Sequence, residues 1–203
     1  MWWHKVSKYL GYDSRVINAS CSGTSLCVSN SALTKQEISN ARAVDDIRVN
    51  DLYVNPDKLE TIIVAIGLND FRYGVPIGSW NIGDSYPDES ASTIDFKPGY
   101  ALLLHKLKTR YPNAKIYCCN LYKWYGVSSS GSNTMQQYKE AVEEIANKFG
   151  CTVIDTYTQC TSAFNTSSGS NTYLSSADST HPNAKGQQFI ADVVINKLQS
   201  LNN

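Results

Sequence analysis

Near the C-terminus the chain reads Asp178-Ser179-Thr180-His181-Pro182-Asn183. A carboxylate three residues ahead of an imidazole can hold one ring nitrogen and leave the other as a general base. Alone, such a pair reads more often as a histidine satisfied within a loop. Two further polar stretches change the reading. Ser20-Cys21-Ser22-Gly23-Thr24-Ser25 is a small-residue loop whose Gly23 N–H a substrate can approach with no side chain in the way. Gly67-Leu68-Asn69-Asp70 carries a side-chain amide, Asn69, that can donate a second hydrogen bond. An acid, a base and two N–H donors are what acyl transfer through an oxyanion requires, together with a hydroxyl nucleophile. Singly, Gly23 makes a turn and Asn69 caps one. Their order along the chain is what points to a site.

The elements that must carry these stretches follow from apolar periodicity. Trp2, Trp3, Val6, Tyr9 and Leu10 have helical spacing, closed by Gly11. Arg15–Ser20 reads as a short strand, and 34–50 as a charged surface helix. Thr61–Ile66 is apolar on both faces, the pattern of a central parallel strand covered on either side. It leads into Gly67–Asp70 and then a long loop, about 72–95, of a length that tends to be functional. A helix over 98–110, a strand over 114–119, a helix over about 134–149 and a strand over 152–155 follow. A Ser/Thr-rich loop over 161–177 precedes Asp178, and the final helix starts after Pro182, which suits a first helical turn. Helices alternating with strands imply an α/β fold with a parallel sheet and right-handed crossovers. In such sheets chemistry collects in loops beyond the carboxyl ends of the strands. The Gly23, Asn69 and His181 loops all belong there.

The 203 residues read as one domain, 1–203, and their 18 basic and 18 acidic side chains cancel. Nothing in that balance argues for nucleic acid or an anionic surface. No apolar run reaches the roughly 20 residues a spanning helix needs. The start, Met1-Trp2-Trp3-His4-Lys5, lacks the apolar core and cleavage site of a secretory leader. The chain therefore reads as cytoplasmic as given, and as secreted if a leader stands upstream. Its six cysteines form no CxxC modules and few histidines accompany them, so no metal site and no cofactor are expected. In a secreted protein, Cys21–Cys27 and Cys151–Cys160 are the pairs a disulfide would join.

The three polar blocks resemble those of the SGNH hydrolases, or GDSL esterases and lipases. Asn18-Ala19-Ser20-Cys21-Ser22-Gly23 resembles the block with the oxyanion glycine. Gly67-Leu68-Asn69-Asp70 matches the G-x-N-D block with the oxyanion asparagine, and Asp178-x-x-His181-Pro182 matches the D-x-x-H-P block with acid and base. The resemblance implies a flavodoxin-like, mostly parallel, three-layer α/β/α sandwich. It implies catalytic Asp178 and His181, an oxyanion hole of Gly23 and Asn69, and a substrate that is a small ester or an acylated carbohydrate, with no cofactor.

The family's first block is an apolar strand ending in Gly-Asp-Ser, whose serine is the nucleophile. It would precede the helix at Trp2, and the nucleophile is not found in this chain. Gly83-Asp84-Ser85 repeats the triplet inside the long loop, with no apolar strand before it, and reads as a decoy. Ser20, Ser22 and Ser25 are better placed, yet read as turn hydroxyls. A start at an internal methionine explains this most simply, with weak or no activity expected of the chain as given. The alternative is a non-catalytic member that binds a carbohydrate or small ligand. For that reading Trp80, Tyr86, Tyr122, Trp124 and Tyr125 supply aromatic faces, Trp124 foremost. Without its first central strand the sheet would carry a gap. Two repairs offer themselves: strand 15–20 pairing directly with 61–66, or a strand donated by another chain in an oligomer.

Overall fold

Thr61-Ile62-Ile63-Val64 is β-branched throughout, and it forms β1 (Thr61–Val64). β1 lies parallel to β2 (Lys115–Cys119), with Ile62 opposite Ile116 and Val64 opposite Cys118. β3 (Thr152–Ile154) completes a sheet of order β1-β2-β3. The coordinates come from a computed structural model that describes residues 1–12, 15–28, 41–50, 55–122, 129–164, 172–178 and 180–201. They divide into two compact units, one of Ala19–Leu121 with Ser128–Val153, the other of Met1–Asn18, Tyr122–Val127 and Ile154–Asn203.

In the larger unit, α4 (Phe96–Arg110) connects β1 to β2, after the short helices α2 (Asp46–Val49) and α3 (Leu68–Tyr73). α4 buries Phe96, Tyr100, Leu103, Leu104 and Leu107. Each such side chain contributes about 1.5–3 kcal/mol relative to exposure. α5 (Met135–Lys148) packs on β2 and α4 through Met135, Tyr138, Val142 and Ile145. It begins in a capping box: Thr134 Oγ1 accepts from the Gln137 N–H at 3.3 Å and Gln137 Oε1 from the Thr134 N–H at 2.7 Å. In the smaller unit, α1 (Trp2–Tyr9) and α6 (Thr156–Phe164) both pack on α7 (Ala184–Ser200). Val6, Ile190, Val194 and Leu198 are buried there, beside an aromatic cluster of Phe164, Tyr173 and Phe189.

The structure corrects several expectations. No strand forms over 15–20; the segment is exposed, Val16 and Ile17 included. Strand propensity yields a strand only where a partner supplies the ladder, and the Ala19 carbonyl is taken instead by Arg48 Nη1 at 3.2 Å. The strand expected to pair directly with β1 is therefore not formed over 15–20. Gly67–Asp70 is not a plain loop: Asn69 sits in the first turn of α3. α6 occupies the start of what reads as a Ser/Thr-rich loop, because Cys160 and Phe164 find a core that their polar neighbours obscure. Of the helix expected over 34–50, α2 is its last turn, and 34–40 lie outside the described residues. Arg42, expected on a surface, is buried. Its guanidinium pairs with Asp45 at 2.9 Å and donates to the Glu89 and Ala91 carbonyls at 2.7 and 3.0 Å.

Trp80 is not a free stacking face. It lies against Tyr86 and Phe149, with ring centroids 5.8 and 5.5 Å away, and Tyr86 in turn stacks on His105. Tyr122 meets Phe164 edge-on. Trp124 and Tyr125 lie outside the described residues. All six cysteines are unbridged. No helix among the described residues is long and apolar enough to cross a membrane.

Candidate active site

The Asp178–His181 loop is closed at its base by main-chain bonds. Leu174 and Pro182 form an antiparallel bridge, Ser175 N–H donates to the His181 carbonyl at 2.8 Å, and Asn183 N–H to the Tyr173 carbonyl at 2.9 Å. Asn183, rather than Pro182, starts the final helix. Its Oδ1 accepts from the Lys185 and Gly186 N–H groups at 2.9 and 3.0 Å, as an N-cap does. Its Nδ2 reaches back to the Thr172 and Leu174 carbonyls. Pro182 stands just ahead of the cap.

Within this frame Asp178 folds onto its own backbone. Oδ1 accepts from the N–H groups of Thr180 and His181 at 2.8 and 2.9 Å, and Oδ2 lies 2.7 Å from His181 Nδ1. The first pair is an Asx-type turn, local chemistry that the spacing alone permits. The His181 N–H, the His181 ring and the Thr180 N–H together draw the Asp178 carboxyl down to about 2. With Nδ1 held by an ionised carboxylate, the tautomer that donates there leaves Nε2 with its lone pair. The His181 side chain is 72% exposed, so that nitrogen is open to a reactant.

The other two blocks lie together in the larger unit. Gly23 occupies a turn with φ of 77°, a conformation glycine adopts without strain. Asn69 Nδ2 donates to the Thr24 carbonyl at 2.9 Å, so the side chain of one block grips the backbone beside Gly23. A carboxamide nitrogen has two hydrogens, which leaves the second for a substrate oxygen. Arg48 braces the same loop through the Ala19 carbonyl and Thr24 Oγ1. Asp70, wholly buried, accepts from Ser25 Oγ at 2.6 Å and from the Leu26 and Cys27 N–H groups at 2.9 Å each. Burial raises its carboxyl from the ordinary value, against the pull of those donors. The spacing of the blocks shows neither Arg48 nor the Ser25 contact. An acid directly after Asn69 was the one available hint.

Two serines that sequence reasoning weighed are accounted for. The Ser25 hydroxyl is buried, donates to Asp70 and accepts from the Cys27 and Val28 N–H groups, which makes it a turn hydroxyl. Ser85 is exposed and follows a turn in which Asp84 Oδ2 accepts from the Asn81 N–H at 2.7 Å, with no strand before it.

Comparison with known proteins gives a consistent picture. Among solved structures the chain is similar to a proposed GDSL-like lipase from Bacteroides uniformis, with 22% identity, TM-score 0.67, and coverage of 98% of this chain and 76% of that one. A proposed GDSL-like lipase from Bacteroides ovatus gives 24% identity, TM-score 0.62 and coverage of 98% and 78%. A protein from Lactobacillus plantarum gives 20%, 0.65, and coverage of 88% and 78%. Likeness at this identity establishes the fold, an α/β/α sandwich with a parallel sheet, as the sequence resemblance implied. No curated protein matches the chain. The model of the GDSL-like lipase/acylhydrolase family matches residues 1–189. The chain belongs to the GDSL-like lipase/acylhydrolase family.

Proposed function

We propose that this chain carries the acid, base and oxyanion donors of a serine-type ester hydrolase acting on short acyl esters or on O-acetyl groups of carbohydrates. The observation that carries the reading is the 2.7 Å contact between Asp178 Oδ2 and His181 Nδ1, on a carboxylate already fixed by two backbone N–H groups. In the proposed reaction His181 Nε2 takes the proton of a serine hydroxyl as its oxygen attacks the ester carbonyl carbon. The carbonyl oxygen becomes the oxyanion, stabilised by the Gly23 N–H and Asn69 Nδ2. Collapse breaks the ester C–O bond, and His181 returns its proton to the leaving alcohol. Water then repeats the sequence on the acyl-enzyme. The serine is assigned to no residue of this chain, so the 203 residues alone are expected to turn over weakly or not at all.

The test is hydrolysis of p-nitrophenyl acetate and of acetylated xylo-oligosaccharide. Both would be assayed with this chain and with the chain preceded by an apolar strand ending in Gly-Asp-Ser. The extended form should hydrolyse, and His181→Ala should lower kcat/KM on the order of 10³-fold or more. An extended form with no turnover that His181→Ala removes would sink the proposal. Oligosaccharide bound by both forms without turnover, and lost on Trp124→Ala, would instead support a carbohydrate-binding role. The side of β1 that faces away from β2, where no strand pairs among the described residues, is further proposed to take a strand from another chain, completing the sheet in an oligomer.

A further inference from the structure

Asn69 and Asp70 are neighbours on α3, yet their side chains leave in different directions and both end on the segment that follows Gly23. Asn69 Nδ2 holds the Thr24 carbonyl, while Asp70 holds Ser25 Oγ and the N–H groups of Leu26 and Cys27. The Ser25 hydroxyl passes the contact on to the Cys27 and Val28 N–H groups at 3.1 and 3.0 Å. Asp70 is anchored in turn from behind. Its main-chain carbonyl accepts from Tyr138 Oη at 3.2 Å and from the Val75 N–H at 3.0 Å. Tyr138 is itself buried between Phe71 and Phe96. The 25–28 segment is held from its other side by Ala43 N–H to the Ser25 carbonyl and Ile94 N–H to the Cys27 carbonyl.

We infer that Asp70 is the positioning residue of the oxyanion hole: its buried carboxylate sets the distance between the Gly23 N–H and the Asn69 amide. A buried carboxylate with three donors is costly to keep unless every lone pair is used, and here the donors belong to one short segment. The Asn69 bond to Thr24 is a single contact on a rotatable side chain. The carboxylate beside it makes three to consecutive residues, and so fixes the segment in position and in orientation. Two oxyanion donors serve only if both lie about 3 Å from the place the oxygen will occupy. A shift of about 1 Å in one of them can cost about 10²-fold. Asp70 never meets the substrate; it acts through Ser25, Leu26 and Cys27.

The inference rests on the esterase reading for its catalytic consequence but not for its geometry, so two measurements separate them. The first uses the 203-residue chain and needs no activity. In amide NMR the Leu26 and Cys27 N–H groups should exchange slowly. Asp70→Asn places a donor where a carboxylate oxygen faced an N–H, so it should speed their exchange and shift the Gly23 amide and Asn69 side-chain resonances. The β2 and α5 amides should stay protected. Fast Leu26 and Cys27 exchange in the unsubstituted chain would overturn the inference, as would unmoved Gly23 and Asn69 signals in a folded Asp70→Asn. Should Asp70→Asn not fold, Ser25→Ala removes one of the three contacts and is read the same way. The second measurement uses the Gly-Asp-Ser-extended form. Asp70→Asn should lower kcat about 10²-fold with KM within about twofold, whereas a residue that only stabilises the fold would lower the unfolding temperature and leave kcat unchanged in the folded protein. An extended form inactive throughout, with the NMR result as expected, would remove the esterase reading and leave the positioning intact.

Discussion

Asp178 gathers two backbone donors and an imidazole within three residues, so its ionisation is set by neighbours that travel with it. The order of those influences matters for what a substitution does. The His181 N–H acts first, the ring second and the Thr180 N–H third. His181→Ala removes only the ring. The Asp178 carboxyl, followed by ¹³C NMR, should therefore titrate near about 2 in the parent chain and rise only part of the way towards the ordinary value of about 3.9 in His181→Ala. A full return to the ordinary value would show that the two backbone contacts do not form in solution. Because the folded value is depressed, the stabilisation linked to Asp178 is present above its unfolded pKa. It is lost as pH falls through the folded one, in a window between about 4 and about 2.

Among the elements, α7 follows the Asp178–His181 stretch directly, and its buried Gly186 is the point of closest packing. Gly186 stands in the first turn of α7, and replacing a helical glycine by alanine ordinarily stabilises by up to about 1 kcal/mol. Here a Cβ at Gly186 would run into the Tyr173 carbonyl oxygen and lie 3.0 Å from Pro182 Cβ. That carbonyl also accepts the Asn183 N–H that closes the base of the Asp178–His181 loop. Gly186→Ala should therefore destabilise, by about 1–3 kcal/mol as overpacking does, and should disturb the His181 ring resonances. Urea unfolding measures the first effect. A gain in stability would mean the two backbones are further apart in solution. The same helix shows how an N-cap can hold a loop: Asn183 satisfies two helix N–H groups and ties down the Thr172 and Leu174 carbonyls ahead of the Asp178–His181 stretch.

At the scale of the whole molecule the notable feature is an edge. Among the described residues β1 has one strand neighbour, β2, and Ile62 and Ile63 are only half-buried. Edge strands offer unpaired main-chain groups to any strand that can reach them. The oligomer proposed above should appear in sedimentation velocity as a mass that rises with protein concentration. A lysine placed at Ile62 should suppress it. A monomer at every concentration tested would remove the proposal.

Helical periodicity placed α1, α5 and α7 because each buries one apolar face at fixed spacing, whereas α4 is buried more widely, Ala101 to Leu104 in succession. The apolar run of Thr61–Ile66 placed β1, although β1 ends the described sheet instead of lying covered at its centre. The geometry of Asp178 and His181 was legible for the same reason: hydrogen bonds across three residues depend on spacing and little else. The sequence by itself thus determined most of the longer helices and strands, the α/β class and the spacing that pairs Asp178 with His181. Only the tertiary structure decided the rest. Arg15–Ser20 has strand composition and makes no strand, because a ladder needs a partner that composition cannot supply. Arg42 has the look of a surface charge and is buried, because Asp45 and two distant carbonyls receive it. Asp70, next to Asn69, reads as an acceptor that holds its own loop, and its side-chain partners lie 43 to 45 positions earlier in the chain. Ladder pairing, burial and long-range hydrogen bonding each depend on which groups the fold brings near, and no pattern within one stretch of chain contains that information.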